Sequence, residues 1–284
     1  MTAPAIHKVT SLTLPELEPY RTLRRPLDHI RRGIFVAEGE KVVRRLLASD
    51  LTVVSILLTP EWHEQIFPNK NQGGTHLYQR VENVPVFVAE KKLLESIVGF
   101  NLHQGIMAVA KVPEARPLEE VVSHLKSPHL LVALEGLVSA ENVGVVVRNC
   151  AAFGVDAIIV GETSSSPYLR RAVRNSMGTV FHIPVVHAED LAGSLKWLSQ
   201  KCSTRIVGTV PGGDTALREI ELGENLCLVL GNEEAGLSAN ILKVCDARVA
   251  IPMANGVDSL NVASASAVFL YEAASARRNK NRAV

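Results

Sequence analysis

Residues 226–236 read LCLVLGNEEAG: five apolar residues, Leu226 to Leu230, run straight into Gly231, Asn232 and a polar loop. A short, continuous apolar run without alternation, bounded by a turn signal, is the pattern of a strand buried on both faces. The pattern recurs in LLVALEG (130–136), DAIIVGE (156–162), RIVGTVPGG (205–213) and ARVAIPMANG (247–256), with helical stretches between several of them. Such a series predicts an α/β domain built on a parallel sheet. In sheets of this kind ligands bind beyond the carboxyl ends of the strands, where these Gly- and Asn-containing loops collect.

Upstream the elements are shorter and mixed. FVAEGEKVVRRLLAS has Val42, Val43, Leu46 and Leu47 at helical spacing, and LTVVSILLT is a β-branched run of strand length. The loop NKNQGG, a strand VPVFVA, a helix KKLLESIVG and a strand GIMAVAKV follow. The domains expected are an N-terminal extension (1–19), a small α/β domain (20–112), a linker (113–128), the parallel-sheet domain (129–276) and a basic tail (277–284). The linker is placed by the three prolines and the charge of KVPEARPLEEVVSHLKSPHL.

Composition narrows the class. A chain of 284 residues that is 47% hydrophobic and 21% charged has material for a sizeable core. No segment approaches the roughly 18 uninterrupted apolar residues of a membrane span, and the N-terminus lacks a signal-peptide core, so a cytoplasmic protein without membrane partners is expected. Cys150, Cys202, Cys227 and Cys245 are widely spaced, with neither a C-x-x-C pair nor a nearby His. They read as plain buried thiols, and no metal is expected. The net charge is only +1, but between Arg21 and Arg45 eight cationic side chains face three acidic ones. Arg24, Arg25, Arg31 and Arg32 in that stretch are candidates for RNA phosphates; a solvated helical face explains them equally well.

Three loops are more polar than turn formation requires. In LEGLVSAENVGVVVRNCAAFG, Asn142 and Gly144 precede Arg148, about one and a half turns into a helix. In GNEEAGLS, Glu233 lies between two glycines and Ser238 stands where it can cap the next helix. In IPMANGVDSLNVASASA, Ser259 and Asn261 stand at the entrance of a helix rich in Ala and Ser. Each has an ordinary alternative: Asn142 as a cap, Arg148 paired with a surface carboxylate, GNEEAGLS as a simple turn. No G-x-G-x-x-G fingerprint, Walker loop or G-x-S-x-G elbow is present, which argues against dinucleotide, nucleoside triphosphate and Ser-hydrolase sites.

Taken in order, these loops resemble the signature motifs of the SpoU (TrmH-like) branch of the SPOUT RNA methyltransferases. The matches are N-x-G-x-x-x-R at Asn142, Gly144 and Arg148, LVLGNE-x-x-GLS at 228–238, and IPM-x-x-x-x-x-SLNV at 251–262. RRAVRNSMGTVFHIPV is similar to the family's R-x-S-x-G stretch at Arg174, Ser176 and Gly178. The resemblance covers roughly residues 129–275, and residues 20–110 resemble the small L30e-like RNA-binding domain that many members carry. The chain departs from the family pattern in two places. Ser139-Ala140-Glu141 stands where Asp-Pro is frequent, and Glu234-Ala235 stands where the family has a glycine after the Glu.

The resemblance implies a deep C-terminal trefoil knot, a homodimer formed through the knotted domain, and S-adenosylmethionine as cofactor. It implies methyl transfer to a ribose 2'-hydroxyl of RNA, rRNA in the first place and tRNA in the second. A non-catalytic RNA-binding or ribosome-assembly protein on the same fold is the alternative, and a base methyltransferase a weaker third. The residues carried over for catalysis are Arg148, Asn142, Glu233, Ser259 and Asn261. Those for the cofactor are Leu230, Gly231, Asn232, Gly236, Ile251, Met253, Leu260 and Asn261; Met253 has core filler as its plain reading. Arg174 and Ser176 join the four N-terminal arginines as RNA-binding candidates. A guanidinium stays protonated at ordinary pH, so Arg148 is expected to grip a phosphate and stabilise the developing alkoxide rather than to act as a base.

Overall fold

The computed structural model describes residues 5–67, 81–98, 105–213, 215–216 and 224–282. The loop NKNQGG, together with His103 and Gln104, lies outside the described residues. The chain forms two units, residues 1–113 with 168–181, and residues 114–167 with 182–284.

The first unit is built on a five-stranded mixed sheet. Its strands are β1 (Ile6–Val9), β2 (Ile34–Glu38), β3 (Val53–Leu58), β4 (Val86–Ala89) and β5 (Ile106–Lys111), in the order β1-β4-β3-β5-β2. β4 runs parallel to both its neighbours, whereas β5 is antiparallel to β3 and β2. The expected strands at 51–59, 84–89 and 105–112 and the helix Lys91–Val98 are present. Two expectations are corrected. FVAE, read with the helix that follows, is part of strand β2; Gly39, at φ +95°, ends the strand, and the helix Glu40–Ala48 begins only after it. That helix buries Val42, Val43, Leu46 and Leu47. The stretch 1–19 is not a mere extension, because β1 pairs with β4 in register from Ile6↔Val86 to Val9↔Ala89 and Leu17 is fully buried.

Residues 168–181 belong to this first unit although they lie between two strands of the second. The ring of Phe35 on β2 lies 5.6 Å from that of Tyr168 and 5.5 Å from that of Phe181. Glu38, at the end of β2, receives Arg170 and, at 3.4 Å, Arg174 from the helix Arg170–Asn175. Arg45 donates to the carbonyl of Met177 at 2.6 Å. Aromatic contact, a nearly buried carboxylate and a backbone hydrogen bond thus hold one segment along its length.

Among the described residues the second unit has seven strands, all parallel, in the order β10-β12-β9-β11-β6-β7-β8. The five expected runs are β6 (Leu130–Leu134), β7 (Ala157–Val160), β9 (Arg205–Thr209), β11 (Leu226–Leu230) and β12 (Ala247–Ala250). Every residue of β6, β7 and β11 is buried, as continuous apolar runs require. Two short edge strands, β8 (Val185–His187) and β10 (Thr215–Ala216), have too little apolar length to be read in advance. The segment placed as a linker contains the helix Leu118–Ser123, whose Leu118, Val121 and Val122 pack into the core under this sheet. The tail is corrected as well: the last helix runs from Val262 to Arg282, and Arg277 donates to the carbonyl of Pro128 and lies 3.5 Å from Asp156.

All four cysteines are free, but only Cys150 and Cys227 are buried as expected; Cys202 and Cys245, at helix ends, are partly exposed. Burial pushes the thiols of Cys150 and Cys227 far up and that of Cys245 to about 11, which keeps them unreactive as thiolates. Among the described residues no helix is long and apolar enough to cross a membrane.

Candidate active site

The loops that leave the carboxyl ends of β6, β9, β11 and β12 converge. After β11, Asn232 and Gly236 exchange backbone hydrogen bonds of 3.1 and 3.0 Å, closing a tight loop. The side-chain oxygen of Asn232 accepts from the backbone N–H groups of Glu234 and Ala235, both at 2.9 Å. Its amide donates to the Gly136 carbonyl at 2.7 Å, tying this loop to the one after β6. Gly231 is required: a Cβ there would lie 2.6 Å from the carbonyl carbon of Gly236. A second tie runs between the same loops, from the Ser238 N–H to the Glu135 carboxylate at 2.9 Å.

The helix Ala140–Ala152 presents Asn142 to this loop. Ser139, not Asn142, caps the helix by accepting from the Asn142 N–H at 3.3 Å, so the Asn142 side chain is released from capping. Its amide donates to Glu233 at 2.7 Å, and its oxygen accepts from Asn261 at 3.3 Å. Asn261 in turn accepts from the Ala263 N–H at 2.9 Å and so starts the last helix. That helix packs on Ala140–Ala152 through Asn149, which donates to the Ala263 carbonyl and to Ser266, both at 2.9 Å. Small residues let the two backbones approach, which accounts for the Ala- and Ser-rich sequence after 261.

Beside this network lies a cavity of about 300 Å³. Leu230, Ile251, Met253, Leu260 and Phe269 give it apolar walls, and Gly231, Asn232, Glu233, Gly236 and Ser259 give it polar ones. Every residue carried over for the cofactor lines it except Asn261, which stands next to Leu260 and hydrogen-bonds to Asn142. Met253 is on the wall of the cavity and half-buried, not in the core. Several lining residues were missed in the sequence: Thr209 at the end of β9 with Val210 and Pro211 after it, Glu234 after β11, Asp258 in the last loop, and Val262, Ala265 and Phe269 in the last helix. The rule that ligands sit at strand carboxyl ends already pointed to the β9 loop. Nothing local marks Phe269, two turns into a helix.

Arg148 is exposed, does not line the cavity, and has no hydrogen bond or ion pair among the described residues. The surface carboxylate that would have explained it is therefore not found there. It belongs to an outward stripe, Glu141, Val145, Arg148 and Ala152, at spacings of four, three and four residues.

The RNA candidates divide. Arg24, Arg25, Arg31 and Arg32 are exposed, with Arg32 paired to Glu18. Arg174 is half-exposed on Glu38. Ser176 is corrected: it is fully buried, donates to the Val173 carbonyl at 2.8 Å and accepts from the Gly178 N–H at 3.2 Å. It shapes the turn and is closed to a ligand.

Comparison with known proteins agrees with this geometry. The SpoU rRNA Methylase family model matches residues 129–271, a stretch that holds all three loops. An uncharacterised tRNA/rRNA methyltransferase of Mycobacterium bovis is 33% identical over 267 residues, 91% of this chain and 88% of its own. The crystal structure of an AdoMet-bound rRNA methyltransferase from Sinorhizobium meliloti is similar, with a TM-score of 0.79 and 26% identity, over 96% of this chain and 98% of its own. That of an RNA 2'-O ribose methyltransferase has a TM-score of 0.75 and 27% identity, covering 96% and 99%. With two of the motif loops lining one cavity, the third tied to both through Asn142, and the likeness running through nearly the whole length, the chain belongs to the SpoU methylase family.

Proposed function

We propose that the protein methylates a ribose 2'-hydroxyl of RNA, with rRNA as the first substrate and tRNA as the second. The coarser statement, an S-adenosylmethionine-dependent RNA methyltransferase of SpoU type, follows from the family and from its AdoMet-bound relatives. The observation that carries the finer one is the Asn142–Glu233–Asn261 network at the mouth of the cavity, together with likeness to a structure named for 2'-O ribose methylation.

The cavity fits the cofactor. Apolar side chains suit the adenine and ribose faces, and backbone groups of the loops after β11 and β12 suit the polar edges of the base. Bound there, the cofactor supplies a sulfonium methyl. Asn142, Glu233 and Asn261 hold the three loops in one geometry, and Ser259, on the wall of the cavity, is placed to orient the incoming ribose. Arg148 grips the adjacent phosphate and stabilises the alkoxide as the hydroxyl loses its proton.

A homodimer belongs to the same proposal. The outward stripe that carries Arg148 runs beside a second one on the last helix, Ser264, Val268 and Tyr271, where Val268 is 38% and Tyr271 55% exposed. The Tyr271 ring stands edge-on to Phe153, with centroids 6.2 Å apart. Two adjacent helices whose outward faces carry the apolar Ala152, Val268 and Tyr271 suit self-association, and Arg148, on the same face, would then serve the cavity of the second copy. We also propose that the second unit is knotted, that the first is an L30e-like module whose Arg24, Arg25, Arg31 and Arg32 meet RNA phosphates, and that the protein works in the cytoplasm. Mapping ribose methylation across total RNA with and without the gene, and transfer to that RNA by the purified protein, tests the activity. A protein that binds RNA and transfers no methyl would be the non-catalytic alternative.

A further inference from the structure

The cavity has an uneven charge. Three acidic residues are part of its lining, Glu233, Glu234 and Asp258, and among the described residues no Lys or Arg is. Glu233 is committed to Asn142 at 2.7 Å. Glu234 is held by its backbone, whose N–H donates to the Asn232 side chain at 2.9 Å, and this fixes the residue in the closed loop after β11. Asp258 comes from the loop after β12, beside Ser259 and Leu260, which also line the cavity. Neither the Glu234 nor the Asp258 carboxylate has a hydrogen bond or ion pair among the described residues. Two acidic residues, uncommitted among the described residues, therefore border one partly apolar cavity from two loops.

The cofactor and its product differ by one charge. Methyl transfer breaks the sulfur–carbon bond and forms an oxygen–carbon bond; the electron pair of the broken bond stays on sulfur, and the hydroxyl proton passes to solvent water. The cavity thus holds a sulfonium before the reaction and a neutral thioether after it. A carboxylate within reach of the sulfur stabilises the first and not the second. We propose that Glu234 and Asp258 are specificity-determining residues that make the site prefer S-adenosylmethionine over S-adenosylhomocysteine, so that product loses affinity when the methyl departs. The inference rests on the cavity being the cofactor site.

Both side chains are exposed, so each contribution is screened and modest. The test is calorimetric titration of the full-length protein with the two compounds, in low and in high salt. In wild type, S-adenosylmethionine should bind the tighter of the two, with a preference that shrinks as salt rises. Glu234→Gln and Asp258→Asn should each weaken S-adenosylmethionine by roughly three-fold, and the double variant by roughly ten-fold, with S-adenosylhomocysteine unchanged. Asp258→Glu keeps the charge and should keep the preference. Equal weakening of both ligands would overturn the proposal, because it would make these residues supports of loop shape. So would a wild type without preference. Failure of wild type to bind either compound would instead remove the cofactor reading beneath it.

Discussion

Asn142 donates its side-chain amide to Glu233 at 2.7 Å, joining the first turn of the helix Ala140–Ala152 to the loop after β11 across 91 residues of chain. The bond is possible because Ser139 takes the capping role that Asn142 would otherwise fill. Its length and charge place it among the stronger hydrogen bonds, discounted here for exposure.

The first prediction concerns that pair. If Asn142 and Glu233 act as one positioning unit, then Asn142→Ala and Glu233→Ala should not add. A double-mutant cycle on kcat/KM should give a coupling of about 0.5–1.5 kcal/mol. Strict additivity would mean that the two residues work separately.

A second prediction follows from Glu38. It is 10% exposed at its side chain and receives both Arg170, itself 15% exposed, and Arg174. Removing the carboxylate leaves a nearly buried guanidinium without its partner. Glu38→Gln should therefore cost about 2–4 kcal/mol in denaturant unfolding. Hydrogen exchange should quicken most in residues 168–181, where Arg45, Phe35 and Glu38 make their grip. A loss spread evenly over the chain would contradict this account.

How far these features were legible depended on the distance over which they are encoded. The buried strands β6, β7, β9, β11 and β12 announce themselves as local apolar runs, and the three loops stand out by their polarity, with their meaning supplied by resemblance to the family's motifs. Strand β1 was missed because its pattern is too short to stand alone, and only its pairing of Ile6 with Val86 makes it a strand. β2 was absorbed into a helix because apolar periodicity passes smoothly across Gly39, whereas the backbone breaks there at positive φ. The placement of Tyr168 and Phe181 around Phe35 is a purely tertiary fact, and so is the burial of Ser176. Asp258 escaped notice beside Ser259 because one loop carboxylate carries no signal until the cavity it faces is known.

A third prediction tests the basic segment. With Arg24, Arg25, Arg31 and Arg32 replaced by Ala, RNA affinity should fall and its dependence on salt should flatten, by about one unit of log–log slope or less per lost contact. Affinity for S-adenosylmethionine should not change, since none of the four lines the cavity. An unaltered slope would return these residues to the role of a solvated surface.

The last prediction separates Arg148 from Asn261. Arg148 lies outside its own chain's cavity and acts, in our proposal, where charge develops on the ribose oxygen. Arg148→Ala should slow transfer by on the order of 100-fold or more while leaving S-adenosylmethionine affinity within a few-fold. Asn261 joins Asn142 to the start of the last helix at the cavity's edge, so Asn261→Ala should weaken cofactor binding and transfer together. The two defects also report on where Arg148 works. If it serves the second copy, a mixed dimer of the two variants contains one site with an intact cavity and an intact partner arginine. Equal mixing then yields about half mixed dimers with one working site in two, so roughly a quarter of wild-type activity should return. If Arg148 serves its own chain, both sites of the mixed dimer carry a defect and no activity returns on mixing. Single-turnover transfer, measured before and after the variants are co-folded, decides between these outcomes.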